Sequence, residues 1–232
     1  MTQSVVRDDA SADVGASVSG PARQTCTSQR IVVARTLRLV ADSLTRRQVL
    51  VALAAGWASP VATADEAPLR ELRAGAVLLM RHTQTVAGVG DPPGRRLDQC
   101  ATQRNLDERG IAHAQRIGRW FEAQRLTVTT VRNSPWGRAR DSARLAFGRS
   151  EDWAPLSNIF EDRSGADAQA DAVRAFVRAM KPGALAVLVS HGVTIAHILG
   201  SGISLGTGES AVVRAGGSAD APLGVIGRLV VA

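Results

Sequence analysis

The run Ala76-Val77-Leu78-Leu79-Met80-Arg81-His82-Thr83 decides the fold class of this chain. Five consecutive apolar residues without alternation are typical of a strand buried on both faces, as in a parallel sheet covered by helices. The run ends in an arginine, a histidine and a threonine. Ligands of open α/β sheets bind beyond the carboxyl ends of the strands, so this tripeptide is a candidate functional segment.

Strand and helix patterns alternate along the rest of the chain. Further strands are predicted at residues 126–131, 184–189, 211–214 and 225–231. Amphipathic helices are predicted from residue 105 or 107 to 121, over 138–147 and over 166–180. Strands that alternate with helices predict a three-layer α/β/α sandwich around a mostly parallel central sheet.

Two more polar segments follow predicted strands, namely Ser134-Pro135-Trp136-Gly137-Arg138 and Ser190-His191-Gly192. Two histidines and two arginines would therefore converge on one rim of the sheet. Guanidinium groups match phosphate oxygens, and their charge disfavours protonation of a neighbouring histidine, which keeps a ring nitrogen free to attack phosphorus. A second, protonated histidine would stabilise the transferring phosphoryl group. The segments predict phosphoryl transfer through a phosphohistidine, with no metal ion and no cofactor.

The same segments resemble the motifs of the histidine phosphatase superfamily, which has the phosphoglycerate mutase-like fold. Arg81-His82-Thr83 resembles its opening signature, Ser134-Pro135 with Arg138 its second motif, and Val189-Ser190-His191-Gly192 the motif of its second histidine. The resemblance implies that His82 is the nucleophile and that Arg81, Arg138 and His191 form the phosphate pocket. The Thr83 hydroxyl would either donate to phosphate or shape the turn.

The resemblance extends from about residue 76 to the C-terminus. Gly90-Asp91-Pro92-Pro93-Gly94 and residues 97–100, 102–106 and 208–209 are also similar to a bacterial branch of the superfamily. Together the motifs predict a phosphatase that hydrolyses a phosphomonoester or a related phosphoryl compound. A phosphate-binding or phosphosugar-binding protein of the same fold, without catalysis, is the alternative.

The proton donor for the leaving group stays open at the level of sequence. Gly192 and Val193 follow the second histidine, so the His-Asp pattern of the acid phosphatase branch is absent. Glu161 lies in the loop where the mutase-like branch keeps its glutamate and is the first choice. Asp162 and Asp98 are alternatives, and an enzyme for good leaving groups, such as phosphohistidine, needs no acid.

The first 64 residues differ from the remainder of the chain. Residues 1–30 have the composition of a disordered segment. Arg46-Arg47 precedes the apolar run 49–58, and small residues follow at Val61-Ala62-Thr63-Ala64. This order is typical of a twin-arginine-like export signal cleaved near Ala64, with a phosphatase domain at 65–232 in the periplasm or outside the cell. An amphipathic helix or an uncleaved membrane anchor is the alternative, although about ten residues are too short to span a bilayer.

The positive charge of the chain invites a comparison with nucleic-acid-binding proteins. The 232 residues include 28 Lys and Arg against 21 Asp and Glu, for a net charge of +7. Residues 65–232 carry 21 basic and 17 acidic side chains, a net of +4, and contain no nucleic-acid-binding motif. A hydrophobic content of 45% and only two cysteines exclude a wholly disordered chain and a disulfide framework. We therefore expect a small phosphorylated molecule, not a nucleic acid, as the partner.

Overall fold

A computed structural model describes residues 66–200, 202–214 and 223–232, so the predicted export signal at 1–64 lies outside the described residues. The helices are α1 Glu66–Ala74, α2 Glu108–Ala123, α3 Gly137–Phe147, α4 Ala166–Arg178 and α5 Gly192–Leu199. The strands are β1 Val77–Arg81, β2 Thr130–Asn133, β3 Glu151–Asp152, β4 Ala186–Ser190, β5 Ser210–Arg214 and β6 Gly224–Leu229. Among these helices, none is long and apolar enough to cross a bilayer.

The strands form one mixed sheet in the order β3-β2-β4-β1-β5-β6. The pairs from β3 to β1 are parallel, whereas β5 and β6 continue the sheet as antiparallel strands beyond β1. Three of the five strand pairs are therefore parallel. The prediction of an α/β fold with a mostly parallel central sheet is confirmed.

The first strand is buried on both faces, as its apolar run predicts. Leu78 and Met80 pack in the core between the sheet and the helices α2 and α3. Val77 and Leu79 face the opposite core, which is closed by α4 and α5. All four side chains are at most 2% exposed. Because the strand is held from both sides, the residues that follow it are fixed relative to both helical layers.

A glycine in the first turn of α2 allows this helix to approach the segment after β1. A Cβ at Gly110 would lie 2.0 Å from the backbone carbonyl oxygen of Gln84. Asp107 caps the helix by accepting a hydrogen bond from the N–H of Gly110 at 2.7 Å. The start of α2 is therefore packed directly against the chain that follows Arg81-His82-Thr83.

The strand predicted at 126–131 is wrong in its first four residues, since β2 begins at Thr130. After α2 ends, Arg125 adopts a positive φ of 55°, and the N–H of Leu126 donates to Phe121 at 3.0 Å. The apolar side chains of Leu126 and Val128 pack against the core from irregular chain. They produced the β-like pattern through burial and not through strand pairing. The helix α1 and the two-residue strand β3 were not predicted.

Candidate active site

Two histidines meet where the parallel strands end. Arg81, the last residue of β1, pairs with Ser190 of β4, and the N–H of His82 donates to the Ser190 carbonyl at 3.0 Å. His191 follows β4 directly and precedes α5. The two imidazole rings lie 5.3 Å apart between centroids, at an interplanar angle of 63°. Adjacent parallel strands thus place the two histidines side by side.

A cavity of about 720 Å³ opens at this edge of the sheet. His82, His191, Arg81 and Arg138 all line it, so the structure brings together the four residues that the motifs single out. Arg138 belongs to the first turn of α3 and is 1% exposed. A fifth basic residue, Arg104, also lines the cavity.

His82 has the state that a nucleophile requires. Its Nδ1 donates to the carbonyl of Thr83 at 2.8 Å, so the lone pair is on Nε2. Burial lowers the pKa of His82 to about 3, and the charges of Arg138, Arg81 and Arg104 act in the same direction. The hydrogen bond to Thr83 favours the protonated form and offsets only part of this effect. His82 is therefore neutral over the physiological range, with a ring nitrogen available for attack.

The pKa of the second histidine, His191, is also lowered, which favours its neutral form over the protonated form expected from the sequence. Burial lowers its pKa well below 6.5, and the neighbouring His82 and Arg138 lower it further. Its Nε2 lies 2.8 Å from the hydroxyl oxygen of Ser134. The same oxygen accepts a hydrogen bond from the backbone N–H of Trp136 at 3.4 Å. The Ser134 hydroxyl can therefore donate to Nε2, which leaves the N–H on Nδ1. That buried Nδ1 has no partner among the residues that the structure describes.

The three arginines of the cavity share one arrangement. Each is held through a terminal nitrogen: Arg81 donates to the Leu205 carbonyl at 2.7 Å and Arg104 to the Val89 carbonyl at 3.2 Å. Arg138 is held by a carboxylate. The Nε atom of each of the three is buried and finds no hydrogen-bond partner within the described part of the chain. All three residues line the cavity, and their positive charge suits it to an anionic ligand.

The carboxylate that holds Arg138 belongs to Asp91, which the sequence analysis did not single out. Both Asp91 oxygens accept from the guanidinium, at 2.8 and 3.1 Å, and the aspartate side chain is 9% exposed. The indole of Trp136 stacks against the same guanidinium, with 4.6 Å between its centroid and the arginine Cζ. Asp91 stands within a Gly-Asp-Pro-Pro-Gly segment of a long loop, and sequence alone does not show where such a loop folds.

Arg104 lies in the stretch Gln103-Arg104-Asn105, for which the sequence favours a capped helix start slightly over a contact with substrate. In the structure, Arg104 lines the cavity and Gln103 holds a neighbouring helix in place. The Gln103 side-chain oxygen accepts from the N–H of Gly137 at 2.9 Å and so holds the start of α3. Arg104 contributes positive charge beside both histidines.

Thr83 is fully buried and does not line the cavity. Ser142 donates to the Arg138 carbonyl at 2.7 Å, so its oxygen is free to accept from the N–H of Thr83 at 3.0 Å and from the Thr83 hydroxyl at 3.1 Å. Of its two expected roles, the geometry therefore favours shaping the turn. Through Ser142, Thr83 connects the segment Arg81-His82-Thr83 to the helix that carries Arg138.

Of the three proposed acids, only Glu161 lines the cavity. Its side chain is 54% exposed and pairs with Arg95. Asp162 is exposed and accepts from the N–H of Ser164, a hydrogen bond that lowers its pKa. Asp98 is exposed and pairs with Arg96. Neither aspartate reaches the cavity in this arrangement.

The lowered pKa of His82 predicts an acid-dependent loss of stability. The pKa is about 3 in the folded state against about 6.5 in the unfolded state, so only the unfolded state binds this proton between these values. Stability is unaffected above pH 6.5 and falls as the pH decreases toward 3, by about 1.4 kcal/mol per pH unit for this group. Urea unfolding of wild type and His82→Gln at pH 7, 6, 5 and 4 measures the difference. The variant's curve should be shallower by this slope, and parallel curves would contradict the account.

The Asp91 contact predicts a coupling between stability and anion binding. Asp91→Asn leaves the buried Arg138 without its counter-charge, which should destabilise the protein by roughly 3–5 kcal/mol. Tungstate, an analogue of phosphate, should then raise the melting temperature of the variant more than that of wild type, because the anion replaces the lost charge. Asp98→Asn, in an exposed pair, is the matched control and should behave as wild type. An equal tungstate shift in all three proteins contradicts the coupling.

Comparisons with known proteins find similarity among solved structures. Neither a protein-family model nor a curated protein matches the sequence. The similar structures include the protein histidine phosphatase SixA complexed with tungstate, at 18% identity over 60% of this chain and 86% of that chain, with a TM-score of 0.42. The alpha-ribazole phosphatase from Shigella flexneri has 17% identity over 65% of this chain and 95% of its own, with a TM-score of 0.44. Phosphoglycerate mutase from Thermus thermophilus has 21% identity over 66% and 98%, with a TM-score of 0.44.

Proposed function

We propose that the chain is a phosphatase of the histidine phosphatase type, which hydrolyses a phosphomonoester through a phosphohistidine on His82. The observation that carries this proposal is the combination of a neutral histidine and several arginines in one cavity. A neutral buried histidine with a free Nε2 lies in one cavity with three arginines, Arg81, Arg104 and Arg138. Such a site is suited to a group that carries several anionic oxygens around an electrophilic centre.

In the first step the lone pair of His82 Nε2 attacks phosphorus, and the bond from phosphorus to the leaving oxygen breaks. The Nδ1–H keeps its hydrogen bond to the Thr83 carbonyl, which stabilises the positive charge on the ring. Arg81, Arg104 and Arg138 neutralise the charge on the phosphoryl oxygens, so we propose that no metal ion is required. His191 donates its Nδ1–H to the same oxygens.

The leaving oxygen takes a proton from a carboxyl group, for which Glu161 at the cavity mouth is the candidate. In the second step water attacks phosphorus, the ionised carboxylate accepts its proton, and the bond between phosphorus and Nε2 breaks. His82 returns to its neutral form and inorganic phosphate is released. The exposed ion pair of Glu161 with Arg95 also supports the alternative, a phosphate binder without a usable acid.

Removing the nucleophile tests the proposal. His82→Ala should lower hydrolysis of 4-nitrophenyl phosphate by roughly 10³-fold or more, because the covalent pathway is lost. When the reaction uses substrate with a radioactive phosphoryl group and is stopped with alkali, the wild-type protein should carry the label and the variant should not. Wild type stopped with acid should carry no label, because acid hydrolyses phosphohistidine. His197→Ala is the matched control, since His197 pairs with Asp167 outside the cavity. Equal turnover by His82→Ala contradicts the proposal, and tungstate binding without any turnover supports the non-catalytic alternative.

We further propose that residues 1–64 direct export of the domain at 65–232. The paired arginines Arg46-Arg47, the apolar run and the small residues before Asp65 support this. In a bacterial host with twin-arginine export, the periplasmic fraction should contain protein that begins near Asp65 by mass spectrometry. Replacing both arginines by lysine should retain the protein in the cytoplasm. Retention of the unprocessed wild-type chain in the cytoplasm contradicts this proposal.

A further inference from the structure

The cavity is much larger than a phosphate ion bound beside His82 and the three arginines, Arg81, Arg104 and Arg138, that form its cationic floor. Four oxygens, each with the ~30 Å³ that a water molecule occupies, account for about 120 Å³. The cavity measures about 720 Å³. Most of the space therefore lies beside the phosphoryl position and is available to the leaving group of a substrate.

One side of this space is apolar. Val193 and Ala196 lie three residues apart on α5, at positions that share a helix face, and both line the cavity. Ile203 and Leu205 continue the wall after the helix. The hydrogen bond from Arg81 to the Leu205 carbonyl fixes this wall relative to the cationic floor.

The polar residues of α5 are engaged elsewhere. The Thr194 hydroxyl donates to the Ser157 carbonyl at 2.9 Å, and His197 pairs with Asp167. A leaving group that extends along α5 therefore contacts methyl and methylene groups. Hydroxyl groups placed against Val193 and Ala196 find no free hydrogen-bond partner among the side chains of α5, which costs free energy. The neutral polar residues of the lining, Asn158 and Ser204, lie outside this helix.

The mouth of the cavity is apolar as well. Phe160 lines the cavity and is 70% exposed. It is one of six large hydrophobic side chains that are exposed among the described residues, and the one of these that lines the cavity. At the same mouth, Glu161 and Arg95 neutralise each other. The exposed ring of Phe160 therefore offers apolar surface to a ligand in the cavity.

We propose that the leaving-group subsite takes an aliphatic group, so that the substrate class is a phosphomonoester of an apolar alcohol and not a sugar phosphate. The proposal rests on the proposed function for the phosphoryl position. Arg81, Arg104 and Arg138 bind the phosphoryl group. The apolar side chains of the wall, together with Phe160 at the mouth, remove the aliphatic chain from water.

The test measures binding, which does not depend on turnover. Titration calorimetry on the full chain compares methyl-, butyl- and octylphosphonate, which share one anionic head group and are not hydrolysed. Affinity should increase by about two- to fourfold for each added methylene group that the wall covers, up to the ~0.8 kcal/mol of a fully buried CH₂. Glucose 6-phosphate should bind no more tightly than inorganic phosphate.

Two variants locate the effect. Phe160→Ser should reduce the ratio of octyl- to methylphosphonate affinity, because it removes apolar surface from the mouth. Val225→Ser is the matched control, since Val225 is 39% exposed on β6 and does not line the cavity. It should keep the wild-type ratio.

The outcomes separate the two proposals. Equal affinity for the three phosphonates, or tighter binding of glucose 6-phosphate than of octylphosphonate, overturns the aliphatic subsite while leaving the phosphatase proposal intact. An octyl preference that survives Phe160→Ser and is lost in Val225→Ser also overturns it. Chain-length dependence without turnover of any phosphomonoester supports the subsite and contradicts the proposed function.

Discussion

The burial of arginine charge at the carboxyl edge of the sheet is the constraint on which the site depends. Arg138 is 1% exposed and is compensated by the Asp91 carboxylate and the Trp136 ring. An isolated cation at such a depth would be strongly destabilising, so the loop that carries Asp91 is part of the fold and not an appendage. The same buried charges help keep His82 neutral, which connects the stability of the cluster to its chemistry.

The cluster is positioned by a small number of backbone and hydroxyl contacts. β1 is covered on both faces, so the segment after Arg81 has little freedom. Thr83 and Ser142 then connect this segment to the carbonyl of Arg138. His82 and Arg138 come from distant parts of the chain, yet the hydroxyl groups of Thr83 and Ser142 fix their separation. The Asp91 carboxylate anchors the Arg138 guanidinium and the Leu205 carbonyl anchors that of Arg81, so both cations are held in place at the cavity.

The sequence predicted the parts of this structure that local patterns encode. The apolar run before Arg81 and the run before His191 specify buried strands, and strand ends specify where His82 and His191 lie. Asp91 and Arg104 were not identified as site residues, because their positions depend on how a long loop folds back over the sheet. No periodicity encodes that path. The predicted start of β2 was four residues too early for a related reason. Leu126 packs against the core from irregular chain, so its apolar character reflects tertiary packing and not strand pairing.

On this account, one phosphoryl position lies next to His82 Nε2 and is surrounded by the side chains of Arg81, Arg104, Arg138 and His191. A crystal structure of the protein with vanadate tests it most directly. The account predicts vanadium bonded to His82 Nε2, with its oxygens within hydrogen-bonding distance of guanidinium nitrogens of Arg81, Arg104 and Arg138. Vanadate bound elsewhere, or bound in the cavity without contact to His82 and to these guanidinium groups, would contradict the account.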